Sequence, residues 1–329
     1  MTPSAQAVLA PASATADAEE FAAALVAGLS SRPQKSIPCK FLYDARGARL
    51  FTMICRLPEY YPTRTEFAIL RRYGDHIANR LPAGAVLVEF GSGTSRKVDL
   101  LLARMAEPAA YVPLDVSVSC LDAAAARLAR LFPGVRMEPV VADFSQPFRL
   151  PATLPHGPRV GFFPGSTIGN FDPPDAIRLL RRFRGVLGPR SRMIVGVDLR
   201  KDPQILHAAY NDSAGVTAAF NLNLLVRANR QVGADFDLGE FDHCAHFNRS
   251  LGRIEMHLVS RRRQSVSIAG HRFQFAHGET IHTENSYKYS PREFREVVEA
   301  AGFAVKASWI DDRQLFSVHL LIAAHAAGT

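Results

Sequence analysis

Between residues 86 and 198, apolar runs return at the interval of one strand–helix–strand unit, at 86–90, 111–115, 137–142, 160–163 and 193–198. The stretches between them, 121–131 and 176–186 among them, are rich in Ala, Leu and Arg with apolar residues at helical spacing. A strand that is apolar at nearly every position must be covered on both faces, and amphipathic helices crossing between parallel strands do this. The pattern predicts an α/β fold with a mainly parallel, doubly wound sheet, whose ligands bind beyond the carboxyl ends of its strands. Near the C-terminus, 291–300 reads as a helix stopped at Gly302, and 303–310 and 316–323 read as a strand pair closing the sheet. Before that unit lies an insertion with a helical part at 203–229 and β-like runs at 253–260 and 272–275. The expected organisation is a core of residues 80–200 and 290–325, an inserted α+β lobe of residues 21–79 and 201–289, and a disordered tail over residues 1–20.

The first run closes on Phe90-Gly91-Ser92-Gly93-Thr94-Ser95-Arg96-Lys97 and opens a helix-like stretch at 98–105. Gly91 and Gly93 allow a tight turn and close approach of backbone to ligand, and the helix N-terminus that follows favours an anionic group. A dinucleotide fingerprint needs a third glycine where Arg96 stands, so the loop suits the carboxylate of a methionine-type ligand better than a pyrophosphate. The second run ends at Asp115, where a carboxylate can accept from both ribose hydroxyls of a nucleoside. The third is followed by Asp143-Phe144, an acceptor for an adenine amino group beside an apolar wall for the base. Three successive strand ends thus address one nucleoside, which favours S-adenosylmethionine as the cofactor. A competing reading makes Asp115 and Asp143 helix N-caps, since Ser117 and Ser145 follow closely.

Composition excludes several classes. With 329 residues and 47% hydrophobic content the chain can bury a large core, yet no apolar stretch approaches the roughly 18 residues needed to span a bilayer. The first 20 residues lack the basic and apolar segments of a secretory signal, so a cytoplasmic monomer without a membrane partner is expected. Cys39, Cys55, Cys120 and Cys244 are scattered and read as reduced, mostly buried thiols. His243 and His246 with Cys244 look faintly like ligands, but their three-residue spacing has no acidic or cysteine partner set nearby, and no metal is expected. The formal charge of +8 is spread over interleaved acids and bases. The dense runs Arg181-Arg182 and Arg261-Arg262-Arg263 lack stacking aromatics, so they read as solvated faces and nucleic acid is not an expected partner.

Further segments carry a resemblance. They include Leu42-Tyr43-Asp44, Leu57-Pro58-Glu59-Tyr60-Tyr61-Pro62-Thr63-Arg64 and Phe163-Pro164-Gly165-Ser166-Thr167-Ile168-Gly169-Asn170. Asp198-Leu199-Arg200-Lys201-Asp202, the run from Ala209-Tyr210 to Val216-Thr217, Ile254-Glu255-Met256 and Thr283-Glu284-Asn285-Ser286 follow. Together with the glycine loop, these resemble the histidine-specific methyltransferases that make the betaine hercynine, the first step toward ergothioneine. The resemblance runs from residue 42 to about 310 and implies a Rossmann-like class I methyltransferase core with a substrate-binding lobe.

It also implies that Tyr43, Gly91, Gly93, Lys97, Asp115, Asp143 and Phe144 surround S-adenosylmethionine. Asn170 and Tyr210 would hold the carboxylate of L-histidine, and Tyr60, Glu284 and Ser286 would read its imidazole. Gly165 would border both ligands, and Met256 and Phe51 would pack beside the substrate. The residue types suit these roles, because an amide and a phenol donate to a carboxylate while a carboxylate and a hydroxyl satisfy both ring nitrogens. Glu284 is the discriminating residue, since an acid buried against an indole or alkyl group would lose its partner. Without the resemblance, Tyr60 and Tyr61 read as loop anchors, Asn170 as a cap for a helix near Pro173, and Glu284 as an exposed strand acid. No residue reads as a dedicated base. The alternatives are the same transfer onto another amino acid or aromatic amine, and an RNA methyltransferase on the same cofactor fold.

Overall fold

The computed structural model describes residues 14–93 and 96–324. The first helix, α1 (Ala14–Ser30), buries Phe21, Leu25 and Leu29, which share one face at a spacing of four. β1 (Lys35–Ser36) and a 3-10 turn, Cys39–Tyr43, lead into α2 (Ala45–Ile54), capped by Asp44, which accepts from the Gly47 N–H at 2.8 Å. α3 (Tyr61–Ala78) carries Pro62 in its first turn, where an N–H has no helical partner to lose. The alternating units follow: β2 (Val86–Phe90), α4 (Lys97–Leu102), β3 (Ala110–Asp115), α5 (Val118–Leu131), β4 (Arg136–Met137), β5 (Val140–Val141), β6 (Arg159–Phe163), α6 (Pro173–Leu187) and β7 (Arg192–Asp198). The insertion holds α7 (Pro203–Tyr210), α8 (Val216–Val232), β8 (Phe241–Asn248), β9 (Arg253–Ser260), β10 (Gln264–Ile268), β11 (His271–Phe275) and β12 (Thr280–Tyr287). The chain closes with α9 (Pro291–Ala300), β13 (Phe303–Ile310) and β14 (Phe316–Ala323).

The core strands lie in the order β13-β14-β7-β6-β2-β3-β4, with β5 also paired to β3. From β7 through β4 the pairing is parallel, while β14 runs antiparallel to β7 and β13 antiparallel to β14. This is the predicted doubly wound α/β sheet with its closing strand pair. Alternation along β2 supplies both faces: Val88 and Phe90 pack with Phe163 and Phe183 on one side, Leu87 with Tyr111, Phe162 and Ile194 on the other. A second sheet, in the order β1-β12-β9-β8, and the β10–β11 hairpin belong to the insertion. β1 pairs in parallel with β12 (Lys35 opposite Ile281), and Phe21, Leu224, Met256 and Ile281 share one apolar cluster. The segment before the core is thereby stitched to the insertion. Among the described residues, no helix is long and apolar enough to cross a membrane.

Several local expectations are corrected. Residues 14–20 belong to α1 and are not a disordered tail; residues 1–13 lie outside the described residues. The run at 137–142 is two short strands split at Pro139, which has no N–H to give to a ladder. The helical part at 203–229 breaks between α7 and α8, where Gly215 takes φ +70° and the Asp212 carboxylate accepts from the Val216 and Thr217 N–H groups at 2.8 Å each. β8 and β12 escaped detection because Phe241-Asp242-His243-Cys244-Ala245-His246 and Thr283-Glu284-Asn285-Ser286 are polar and carry few β-branched residues. The cysteines are free thiols, but Cys39, Cys55 and Cys120 are only partly buried and Cys244 is exposed.

Phe90 and Phe183 stack with centroids 3.8 Å apart at an interplanar angle of 7°, both fully buried. Phe183→Ala should lower unfolding free energy by about 3–5 kcal/mol with an unchanged urea m-value; a loss below about 1 kcal/mol would contradict this account of the core.

Candidate functional site

The carboxyl ends of β2, β3 and β5 carry the residues expected around a nucleoside. Gly91 and Gly93 take φ values of +72° and +47°, so the loop occupies backbone conformations that glycine adopts without strain. A Cβ on Gly91 would stand 3.2 Å from the Phe144 ring, so a side chain there would crowd the ring that lies across the loop. The Gly93 N–H donates to Asp115 Oδ2 at 2.8 Å, while Asp115 Oδ1 accepts from the Ser117 N–H at 3.0 Å. Asp143 Oδ1 accepts from the Ser145 N–H and hydroxyl at 2.8 and 2.5 Å, and Oδ2 pairs with Lys40 Nζ at 3.3 Å. Both acids therefore hold their own turns, but neither is the helix N-cap that the competing reading supposed. The helix α5 itself is capped by Ser117.

Lys97 opens α4 with its ammonium 2.5 Å from Glu66 Oε2, both groups buried. Glu66 also accepts from the Gly165 N–H at 2.9 and 3.1 Å, which ties the end of β6 to α3 and α4. Gly196 makes room for this acid, since a Cβ there would stand 2.1 Å from Glu66 Oε1. Glu66 was missed in the sequence; its signal is an acid between Thr65 and Ile69 on the buried face of α3.

Asn170 ends a 3-10 turn, Thr167–Asn170, that follows β6. That turn is docked on β12, because Gly169 leaves no room for a Cβ against the Tyr287 carbonyl, 2.8 Å from where one would lie. Asn170 is not the cap of α6, whose N-cap position is Asp172. β9 and β12 place Met256 opposite Glu284 and Ile254 opposite Ser286, with a register shift between His282 and Glu284. A cavity of about 20 Å³ is lined by Phe51, Tyr60, Tyr210, Met256 and Glu284, with Ile54, Ala209, Thr217 and Phe220 completing its wall. That volume admits about one water molecule, so an imidazole enters only if the walls move apart. Tyr43 packs edge-on to Phe51 and Phe220 at 5.5 and 5.4 Å, behind the cavity wall. A larger depression of about 370 Å³ between the end of α1 and β11 contains none of these residues.

Beneath the cavity lies a buried polar network. Asp198, at the end of β7, accepts from the Tyr61 hydroxyl at 2.8 Å and pairs with Lys201 at 2.5 Å and Lys288 at 2.8 Å. Burial opposes its charge, yet the two ammonium groups hold its carboxyl below the usual carboxylate range. Lys288 also donates to the Tyr210 hydroxyl at 2.8 Å and to Ser286 Oγ at 2.6 Å, and these two oxygens are 2.8 Å apart. Both hydroxyls are acceptors for Lys288, and one donates to the other, so the pair keeps one proton with which to meet a ligand. Lys288, Lys201 and Asp198 had no assigned role in the sequence and Tyr61 read only as a loop anchor, because a buried charge looks like any other until its surroundings are known.

Glu284 contrasts with Asp198. Its Oε2 is buried without a hydrogen-bond partner, and burial pushes its carboxyl up from 4.5 to about 7 against the pull of Lys288. A folded protein that keeps this proton while the unfolded chain has lost it is destabilised as pH rises from about 4.5 to 7, by at most about 3 kcal/mol. Glu284→Gln removes that dependence. Its melting temperature should exceed that of the parent by a margin that grows by several degrees between pH 5 and pH 8; a margin constant with pH would refute the raised pKa.

The description of the histidine-specific, S-adenosylmethionine-dependent methyltransferase family matches residues 21–323. The chain is 42% identical over 304 residues to the histidine N-alpha-methyltransferase of Mycolicibacterium smegmatis, covering 90% of this chain and 92% of the relative. It is 40% identical to the Mycobacterium tuberculosis enzyme of the same name, over 89% of this chain and 92% of the relative. A 4-dimethylallyltryptophan N-methyltransferase of Epichloe festucae var. lolii is 27% identical over 88% of this chain and 90% of its own length. With a family match across nearly the whole described chain and relatives at this identity, the protein belongs to the histidine-specific, S-adenosylmethionine-dependent methyltransferases.

Proposed function

We propose that the protein trimethylates the α-amino group of L-histidine to hercynine, N,N,N-trimethylhistidine, the first step of ergothioneine biosynthesis. The observation that carries this reading is Glu284, a buried carboxylate with an unpartnered oxygen in the wall of a cavity that also holds Tyr60 and Tyr210. An imidazole N–H supplies the missing partner, and Ser286, already accepting from Lys288, can donate to the other ring nitrogen, the contact between the Ser286 and Tyr210 hydroxyls opening as Tyr210 turns its proton to the substrate carboxylate. Either protonation state of Glu284 is usable, since its carboxyl titrates near 7. Asn170 and Tyr210 are assigned to the substrate carboxylate, and Met256 and Phe51 to the apolar flank of the ring.

S-adenosylmethionine, when bound, supplies an electrophilic sulfonium methyl group. Gly91 and Gly93 offer open backbone beside the Phe144 ring, and Asp115, Asp143, Lys97 and Tyr43 complete the set assigned to hold it. In this reading residues 80–200 and 290–325 form the cofactor-binding core and residues 21–79 and 201–289 the substrate-binding lobe, with Tyr43 of the lobe reaching the cofactor and Asn170 of the core reaching the histidine carboxylate. The protein's contribution is positioning and exclusion of water: apolar walls strip solvent from the amine while polar groups anchor the other end of the amino acid. No side chain is assigned as a base, and the attacking nitrogen must arrive neutral. The protein is expected to act as a cytoplasmic monomer.

A second reading has support in the 27% identity to a relative named for a substituted tryptophan, and would place an aromatic amine in the same cavity. Glu284 argues against it, since an indole leaves fewer of the cavity's polar groups matched. An RNA substrate is disfavoured because Tyr60, Tyr61 and Tyr210 are buried and unavailable for stacking on bases.

The deciding experiment is mass spectrometry after incubation with S-adenosylmethionine and an equimolar mixture of the twenty amino acids. Three methyl groups on histidine alone are expected; methylation of a different amino acid would overturn the roles of Glu284 and Ser286. Glu284→Ala should lower kcat/KM for histidine by about 100-fold or more while leaving S-adenosylmethionine affinity within about threefold, and equal losses in both would sink its assignment. Asp115→Ala should weaken S-adenosylmethionine binding about 10- to 100-fold in calorimetry without any amino acid present, and unchanged affinity would remove Asp115 from the cofactor site.

A further inference from the structure

We propose that the outer face of the second sheet binds a divalent transition metal, zinc by preference, through His246, Glu255 and His257. Strand alternation sends Met256 toward the substrate cavity and its neighbours Glu255 and His257 to the opposite face of β9. On the adjacent strand, His246 stands directly opposite Glu255. The sequence offered His243 and His246 without a ligand set at metal spacing; strand pairing supplies Glu255, while His243 turns away to Asn221 and the Tyr210 carbonyl and Asp242 is taken by Arg261.

The spacing fits a metal. His246 Nε2 lies 3.5 Å and His257 Nε2 3.3 Å from Glu255 Oε2, and the three ligand atoms all lie within 4.8 Å of one another. A tetrahedral site with metal–ligand bonds of about 2.0–2.2 Å has edges of about 3.3–3.6 Å, which the two nitrogen–oxygen separations already match, while the nitrogen–nitrogen separation lies within 4.8 Å and closes as the histidines turn toward the ion. The His246 and His257 rings stack with centroids 5.2 Å apart and planes inclined by 16°, so one ring must turn about its Cβ–Cγ bond for both nitrogen lone pairs to converge on one ion, a motion open to the half-exposed His246.

The carboxylate is already oriented. Glu255 Oε1 accepts from Arg253 Nε at 2.8 Å and Asn248 Nδ2 at 3.0 Å, leaving Oε2 to the histidines, the arrangement in which outer partners fix a ligand's direction. Arg253 would oppose a cation, but its charge is shared with Asp172 at 3.1 Å. Two imidazoles and one carboxylate suit zinc with a fourth position open to water, and by the general affinity order also cobalt, nickel and copper. Cys244 and His282 are the residues paired with His257 on the two neighbouring strands.

The test uses untagged full-length protein, stripped with chelator and titrated with Co²⁺ by visible absorption, followed by Zn²⁺ displacement. His246→Ala removes a half-exposed ligand without touching the core, and Glu255→Gln keeps the shape of the carboxylate. The parent should show one saturable set of tetrahedral Co²⁺ bands that Zn²⁺ abolishes, with affinity at least about 100-fold weaker in His246→Ala and in Glu255→Gln. If Glu255→Gln does not fold, His246→Ala decides alone. Absence of bands in the parent, or a variant that titrates like the parent, overturns the proposal. The readout needs neither cofactor nor amino acid, so it stands apart from the methyl-transfer assignment.

Discussion

The Asp198 carboxylate, sealed at the end of β7 and shared by Lys201, Lys288 and Tyr61, is the interaction on which the site depends. A buried charge is tolerated only when opposite charges and hydrogen bonds replace the water it has lost. Here those partners come from separate parts of the chain. Tyr61 begins α3, Lys201 follows β7, and Lys288 follows β12 in the second sheet. One carboxylate thus fixes where the second sheet meets the ends of the core strands, and removing it would leave two buried ammonium groups without their counter-charge.

The same network sets the polarity of the cavity above it. Lys288 spends two donors on the Tyr210 and Ser286 hydroxyls, which makes both oxygens acceptors inside the protein and leaves a proton for a ligand. Glu284 receives no such help. Two acids in one buried region are driven in opposite directions, Asp198 held ionised by its lysines and Glu284 raised to about 7 by burial. That division of environments separates a structural carboxylate from one available to a substrate.

A second buried pair plays the corresponding part beside the glycine loop. Glu66 joins Lys97 of α4 to the Gly165 backbone after β6, and Gly196 leaves space for it on β7. Strand ends that would otherwise splay are held in register by a single acid on α3. Between the two networks, the loops expected to hold cofactor and amino acid are anchored to the same sheet.

Much of this was legible in local sequence. The parallel sheet followed from apolar runs such as 86–90 and 193–198, and its closing strand pair from 303–310 and 316–323, because burial on both faces leaves a continuous apolar signature. The glycine loop was legible because a tight turn restricts residue type. The polar strands β8 and β12 were not, and neither were Asp198, Lys288 and Glu66 as network residues. Their types say only that they are charged, and burial decides what a charge does. What the sequence determined by itself was the layered core and the chemistry present at its strand ends. What only the tertiary structure decided was which acids are paired and which is left open, and that Glu255 meets two histidines across a sheet. Cross-strand register and desolvation arise when distant segments meet, and no local window of residues carries them.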